Sequence, residues 1–432
     1  MTDSPPLVKA VADELYKCNR CGFCQTRCPV YRTTGLEASV ARGHFARMQA
    51  VLEGELPFDE RLRGDAFACL MFRACTAECP PGIQIDRIIA AARASFVQRR
   101  QPWAQRLIFR RVLPNPALLR TLARALGFLK RTRLTAFSKL LRLLPWVDRG
   151  LAEAEAMMPA PTRFLRDRLA ARSPVAQGSR RVLYFVGCGI DYTLPDVGEA
   201  TVDALEALGC EATVAPNVCC GLPPYSYGDL EATRKLARSN LALLSELADD
   251  PIITDCASCS SFLHQYPALF PEDDPAHHQA VALAGRVHEF SEFISSLAAP
   301  GVAAVNAVVT YHDPCHLSRY EKITEQPREV LQRIPGLVYR ELPEADWCCG
   351  GAGSYALSHY DMSMAILRRK MENIGATGAD IVVTTCPACI TQLRYGARRF
   401  GPAVEVLHLS QVLKRALPQC TACGARSEPG TV

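Results

Sequence analysis

The chain has 432 residues, 49% of them hydrophobic and 22% charged, with a formal net charge of +5. That length allows several compact domains with sizeable cores. It carries twenty cysteines, yet its start (Met1-Thr2-Asp3-Ser4-Pro5-Pro6) has no apolar leader and no stretch approaches the length of a membrane span. These features weigh against a secreted disulfide scaffold and an integral membrane protein. They predict a cytoplasmic chain with reduced thiols, in which clustered cysteines mean metal.

In chain order, residues 1–17 read as a short lead-in helix, and residues 18–96 hold two cysteine runs with helical sequence between them. The first run, Cys18, Cys21, Cys24, Cys28 and Pro29, has the C-x2-C-x2-C-x3-C-P spacing of bacterial ferredoxins. Three closely spaced thiolates wrap one iron–sulfur core, and the fourth ligates the other cluster. The second run is Cys69, Cys75, Cys79 and Pro80, with Phe72 where a full copy would place a fourth cysteine. The crossed rule then assigns Cys18, Cys21, Cys24 and Cys79 to one [4Fe–4S] cluster. Cys28, Cys69 and Cys75 are left to a second, one thiolate short.

Residues 97–178 form a basic stretch: no acidic residue lies between Asp86 and Asp148, while arginine and lysine recur throughout. Pro102, Pro114, Pro116 and Pro145 break it into several short helices. Three readings stay open: a solvated face against the rest of the chain, a contact of residues 97–147 with acidic headgroups at the cytoplasmic membrane face, or an acidic protein partner. Trp103, Phe109 and Trp146 are expected in the core. No nucleic-acid motif appears and aromatic interleaving is thin, so nucleic acid is not an expected partner. Residues 170–181 read as a linker.

Beyond it, short apolar runs (Val182–Val186, Ile252–Thr254, Ala307–Thr310, Ile381–Thr384) alternate with helical patterns, which predicts α/β modules with parallel sheets. The half is an internal repeat. Cys188, Cys219, Cys220, Cys256 and Cys259 recur as Cys315, Cys348, Cys349, Cys386 and Cys389, at offsets of 127, 129, 129, 130 and 130 residues. The leading cysteine and the C-x2-C pair of each module follow predicted strands, so the ligands gather at carboxyl ends, where open α/β sheets place their sites. Gly221 and Gly350, after the paired cysteines, suit a tight turn. Vicinal cysteines make a poor structural disulfide. Metal clusters are therefore expected at both modules, with structural zinc as the alternative.

His312, Asp313 and His316 flank Cys315, with a ligand or proton-relay role and a hydrogen bond to sulfur as competing readings. Cys210 reads as core, and Cys420-x2-Cys423 lies in a polar tail. Gly350-Gly351-Ala352-Gly353 lacks the spacing of a dinucleotide loop, so no flavin or nicotinamide site is expected.

Cys69-x5-Cys75-x3-Cys79-Pro80 resembles the iron–sulfur subunit of succinate dehydrogenase and fumarate reductase, whose matching run holds a three-iron cluster. That resemblance implies [3Fe–4S] at Cys28, Cys69 and Cys75; an incomplete [4Fe–4S] cluster with an outside ligand is the alternative. The paired-cysteine modules resemble the CCG domain of heterodisulfide reductases and of the iron–sulfur subunits of glycolate and lactate oxidation systems. Arg42-Gly43-His44, Val51-Leu52-Glu53-Gly54, Cys79-Pro80-Pro81-Gly82-Ile83, Cys348 through Tyr355 and Thr385-Cys386-Pro387-Ala388-Cys389 favour the glycolate side.

The fold class expected is multidomain. An α-helical dicluster ferredoxin-like domain (1–96) and a basic helical linker (97–178) precede two tandem α/β CCG modules (179–300 and 301–415), related by a pseudo-two-fold, and a tail (416–432). The resemblance implies an electron-transfer subunit between a flavoprotein that oxidises a 2-hydroxy acid such as glycolate or lactate and a quinone or a membrane quinone-reducing subunit. It also implies non-cubane [4Fe–4S] clusters on the five cysteines of each module. Reduction of a disulfide at Cys315, Cys348, Cys349, Cys386 and Cys389 is the competing activity, and a redox-inert metal scaffold the third.

Overall fold

The computed structural model describes residues 5–131, 157, 163–172, 180–247, 249–297, 302–353 and 355–417. Cys420, Cys423 and Trp146 lie outside them. The first part is helical. In place of one lead-in helix the chain forms two short ones, Pro6–Lys9 and Ala12–Tyr16. Helices Ala41–Leu52, Glu60–Ala68 and Ile85–Arg99 follow and bury one core that includes Phe45, Met48, Ile88, Ile89 and Phe96.

The second part contains eight strands: β1 (Arg180–Tyr184), β2 (Cys210–Val214), β3 (Ile252–Thr254), β4 (Val287–Glu289), β5 (Ala307–Tyr311), β6 (Leu337–Tyr339), β7 (Ile381–Thr384) and β8 (Glu405–His408). They form two all-parallel sheets, in the orders β2-β1-β3-β4 and β6-β5-β7-β8. The central strands β3 and β7 are buried at every residue, as parallel sheets covered by helices on both faces require. β1 starts and stops two residues earlier than the apolar run Val182–Val186, because Phe185 and Val186, although buried, already lead into the turn. β2, β4, β6 and β8 are edge or short strands with mixed polarity, which hides them from a periodicity argument. Cys210 opens β2 and is buried in the core, as expected of it.

The modules share much of their cores. Tyr184, Ile190 and Val197 of the first pack in one cluster with Leu367, Val382, Ile390 and Leu393 of the second. Polar bonds cross the same seam. The Ala257 amide donates to the Thr385 carbonyl at 3.0 Å, and His408 Nε2 to the Asp255 carbonyl at 3.0 Å. His408 Nδ1 accepts from the Ser410 amide at 3.1 Å, so the ring is neutral with its proton on Nε2. Burial holds the pKa of this imidazole down, at about 3.

Arg93 ties the helical part to the first module. It sits among the apolar positions of helix Ile85–Arg99, four residues after Ile89, and is almost fully buried. Its guanidinium donates to the Ala66 carbonyl at 3.0 Å, the Phe67 carbonyl at 3.4 Å and the Ser226 carbonyl at 2.6 Å, and also to the Cys69 carbonyl. Gly228 (φ +84°) permits this approach, since a Cβ there would lie 2.5 Å from the Arg93 carbonyl carbon.

The basic stretch reaches the same module. Arg110 grips the buried carboxylate of Asp229 with Nε at 3.1 Å and Nη2 at 3.2 Å, and Gln101 donates to it at 2.6 Å. Phe109 is buried as expected, but Trp103 is 79% exposed, contrary to a core reading. It opens the short helix Trp103–Leu107, which buries none of its residues.

Arg93→Met keeps the aliphatic stem but leaves several buried carbonyls without a donor. It is expected to cost about 3–5 kcal/mol, read as a lower denaturant midpoint for the helical part and the first module together.

Candidate metal centres

Every cysteine of the repeat sits just beyond a strand's carboxyl end. Cys188 follows β1, Cys219 and Cys220 follow β2, and Cys256 and Cys259 follow β3. In the second module Cys315, the Cys348–Cys349 pair and Cys386 with Cys389 follow β5, β6 and β7 in turn. Gly221 and Gly350 have left-handed backbones (φ +95° and +83°), as the tight turn requires. At Gly350 a side chain would also strike the Ser363 carbonyl at 2.6 Å.

In the first module the thiols adjoin pairwise: Cys188 lies beside Cys219, Cys219 beside Cys220, Cys220 beside Cys259 and Cys259 beside Cys256. Sulfhydryl donors from Cys219 and Cys259 pull Cys220 down to about 6, while bonding to Cys219 and burial push Cys188 well up.

The second module repeats the pattern. Cys349 and Cys389 sulfurs are 3.4 Å apart. Backbone amides point at sulfur: Gly350 donates to Cys348 at 3.3 Å and Gly351 to Cys349 at 3.4 Å. Donors from Cys348 and Cys389 pull Cys349 down, a Cys389 donor holds Cys386 at about 7, and burial pushes Cys315 up to about 12. Among the described residues, one group of side chains lies close enough to grip a single ion: His312, Cys349 and Cys389, with ligand atoms within 4.8 Å of one another.

In the helical part, Cys18, Cys21, Cys24, Cys75 and Cys79 line one small cavity, with Arg42, Phe45, Ile83 and Ile85 among its walls. Cys21 is exposed. Cys28, Cys69 and Cys75 lie near one another: burial raises all three thiols, to about 12 at Cys28, and the neighbouring thiols add to the shift at Cys28 and Cys75. Amides of Tyr31 and Met71 donate to Cys28 and Cys69 sulfur at 3.5 and 3.4 Å. Phe72 is buried and packs in one apolar cluster with Cys28, Trp347, Cys348 and Tyr355.

That cluster also touches Cys24 and Cys315, so it spans both helical-part sites and the second module. Tyr355 and Tyr320 clamp the junction by donating to the Ala68 carbonyl at 3.0 Å and the Met71 carbonyl at 2.7 Å. The second module's thiols reach the first module as well: Ser258 Oγ lies 3.5 Å from Cys386 sulfur. Finally, Leu113 of the basic stretch packs with Cys188 and Cys219. None of these junctions is visible in spacing alone, although Arg93, a charge on an apolar helix face, was a detectable signal for one of them.

The donor set fits iron–sulfur cores. Buried thiols in apolar walls stay protonated unless a multivalent cation compensates their charge. Amides aimed at sulfur are the usual outer bonds of such centres. Fold and thiols together define an iron–sulfur protein with a helical dicluster part and two cysteine-rich α/β modules.

The comparisons agree. Residues 14–83 match the family model described as 4Fe-4S dicluster domain, and residues 182–264 and 309–394 match Cysteine-rich domain. Residues 100–158 match Glycolate oxidase iron-sulfur subunit, linker region. The chain is 31% identical to the probable glycolate oxidase iron-sulfur subunit of Bacillus subtilis, over 93% of this chain and 94% of that one. It is 32% identical to lactate utilization protein A 2 of Bacillus mycoides and to lactate utilization protein A of Bacillus thuringiensis, each over 54% of this chain and 98% of the relative. A crystal structure of a hypothetical protein from Helicobacter pylori covers 64% of the chain at 12% identity and a TM-score of 0.41, too loose a likeness to carry an argument. The chain belongs to the glycolate oxidase iron–sulfur subunit family.

Loading needs thiolates, so it releases protons. Because burial holds Cys28 and Cys315 near 12, iron and sulfide uptake by the apoprotein should fall as pH falls from 8 to 6, and chelators should strip iron faster at the acid end. Iron and acid-labile sulfide counts across that range check this.

Proposed function

We propose that this chain is the electron-transfer subunit of a hydroxy-acid-oxidising complex. It would pass electrons between a partner flavoprotein acting on a 2-hydroxy acid such as glycolate or lactate and a quinone or a membrane quinone-reducing subunit. The observation that carries the reading is that the thiol sites share walls. Cys24 packs on the helical core beside Cys69, Cys75 and Cys79, and again on the cluster that holds Cys28, Cys315 and Cys348, while Cys386 of the second module lies against Ser258 of the first. Bound clusters supply one-electron chemistry at these stations. The chain's own residues set the spacing, exclude water with Phe72, Trp347 and Tyr355, and donate amide hydrogens to sulfur.

The ligand sets proposed are Cys18, Cys21, Cys24 and Cys79 for [4Fe–4S], and Cys28, Cys69 and Cys75 for [3Fe–4S]. Each module's five cysteines hold a further cluster, of non-cubane form. Support for the three-iron assignment is chemical. Phe72 offers no ligand atom, and its ring is committed to the apolar cluster at the junction. The oxidised protein should then show a three-iron EPR signal that Cys75→Ser abolishes; a spectrum without it sinks that assignment.

The two modules are proposed to be related by a pseudo-two-fold. Matching strand orders support this, as do the equivalent seam positions Asp255 and Thr385, which meet His408 and Glu289 respectively.

A peripheral membrane contact forms part of the reading. Helix Pro116–Arg131 turns Arg120 and Arg124 toward the chain, where they bind Asp167 at 3.2 and 2.9 Å. Leu118, Leu122, Leu126 and Phe128 are left exposed. Apolar residues facing outward on a basic helix are suited to an anionic interface. No helix among the described residues is long and apolar enough to cross a membrane.

Anaerobic purification with native partners should yield a flavoprotein and hydroxy-acid-driven quinone reduction. Leu122→Glu with Leu126→Glu should weaken flotation with anionic vesicles severalfold while leaving the iron content intact. A complex that reduces quinone with neither glycolate nor lactate would defeat the substrate assignment.

A further inference from the structure

Three polar residues surround Cys315, and the structure separates their roles. Asp313 is held by Arg328 through two bonds of 2.9 Å. His316 Nδ1 meets Ser261 Oγ at 2.8 Å, and its ring stacks on Tyr320. His312 differs. Its backbone amide donates to the Val383 carbonyl at 2.9 Å, which fixes the residue between β5 and β7. Its ring is 1% exposed, and neither ring nitrogen bonds to an oxygen or nitrogen; the group it approaches is the Cys349 sulfur. The atoms nearest to hand are the Cys349 and Cys389 sulfurs.

An imidazole carries at least one N–H in either of its ordinary protonation states. Leaving that donor buried and unpaired is costly. A thiolate, or the sulfide of a bound cluster, is a better acceptor than the neutral thiol, so loading the centre supplies the missing partner.

The repeat offers a built-in comparison. Tyr184 and Cys188 in the first module correspond to Tyr311 and Cys315 in the second, and the residue corresponding to His312 is Phe185. Phe185 is fully buried just beyond β1. At this position, then, two sites with the same five thiols differ by a hydrogen-bond donor.

We propose that His312 donates an N–H to sulfur at the Cys349–Cys389 edge of the second module's centre, so that the two repeated centres are unequal in reduction potential. A bond of this kind withdraws charge from sulfur and stabilises the reduced state. The five thiolates already provide the ligands, so the imidazole tunes the centre and is not needed to retain iron. This inference rests on the reading that the second module holds a redox-active cluster.

The test uses the full anaerobic chain. EPR-monitored redox titration is run on the wild type, His312→Phe (the residue the first module carries), His312→Asn (which keeps an N–H donor) and Cys389→Ser, which assigns the second module's signal. His312→Phe should keep wild-type iron and sulfide and move the assigned midpoint downward, with the other midpoints unmoved. His312→Asn should recover part of the shift, and it carries the test if the phenylalanine variant fails to fold. An assigned midpoint unchanged in the variants overturns the inference, as does loss of that centre's iron in both, which would make His312 a ligand. If the wild type shows no signal sensitive to Cys389→Ser, the reading that the module holds a cluster is what has failed.

Discussion

Thiolate charge buried in an apolar interior is the constraint on which this structure turns. Cys219, Cys220, Cys256, Cys259, Cys348, Cys349, Cys386 and Cys389 are all buried. Unpaired charges there would be expensive, and neutral thiols would be poor ligands. A polycationic iron–sulfur core resolves the conflict, and the scaffold is arranged to receive one. Strand ends bring the sulfurs together, glycine turns let the paired cysteines bend around them, and amides point inward. Zinc would satisfy four thiolates at a site, but each module brings five, and neighbouring sites share walls.

Shared walls also explain why the modules cannot be treated as beads on a string. The seam between them carries both apolar packing and bonds at Ala257, Thr385, Asp255 and His408, next to the thiols of both sites. Disturbing the seam would disturb the spacing between two centres. The same holds where Phe72, Trp347 and Tyr355 join the helical part to the second module. Side chains there pack the walls of two sites at once. The basic stretch adds a third junction: Arg110 and Asp229 anchor it, and Leu113 packs in one cluster with Cys188 and Cys219.

Much of the site was legible before the fold was known, because cluster ligation imposes local spacing. The helical-part cysteine runs, the five-point repeat and the strands Ile252–Thr254 and Ile381–Thr384 were all readable. The edge strands were not, since their mixed burial gives no clean period. Trp103 was misjudged because a lone aromatic on a short helix says nothing about which face meets the chain. His312 could be singled out by its place near Cys315, but its role could not, because the sulfurs it faces come from Cys349 and Cys389, more than thirty residues further along the chain.

The sequence by itself determined where the thiols available to a metal lie: at short, repeated intervals, with Phe72 breaking one set. It also determined that parallel α/β modules follow a helical part, since alternating apolar runs and helical patterns have few other solutions. Tertiary structure alone decided which sites are neighbours, which flanking groups are already committed, and which imidazole is left facing sulfur. Those are contacts between residues far apart in the chain, set by how sheets and helices pack, and no local spacing encodes them.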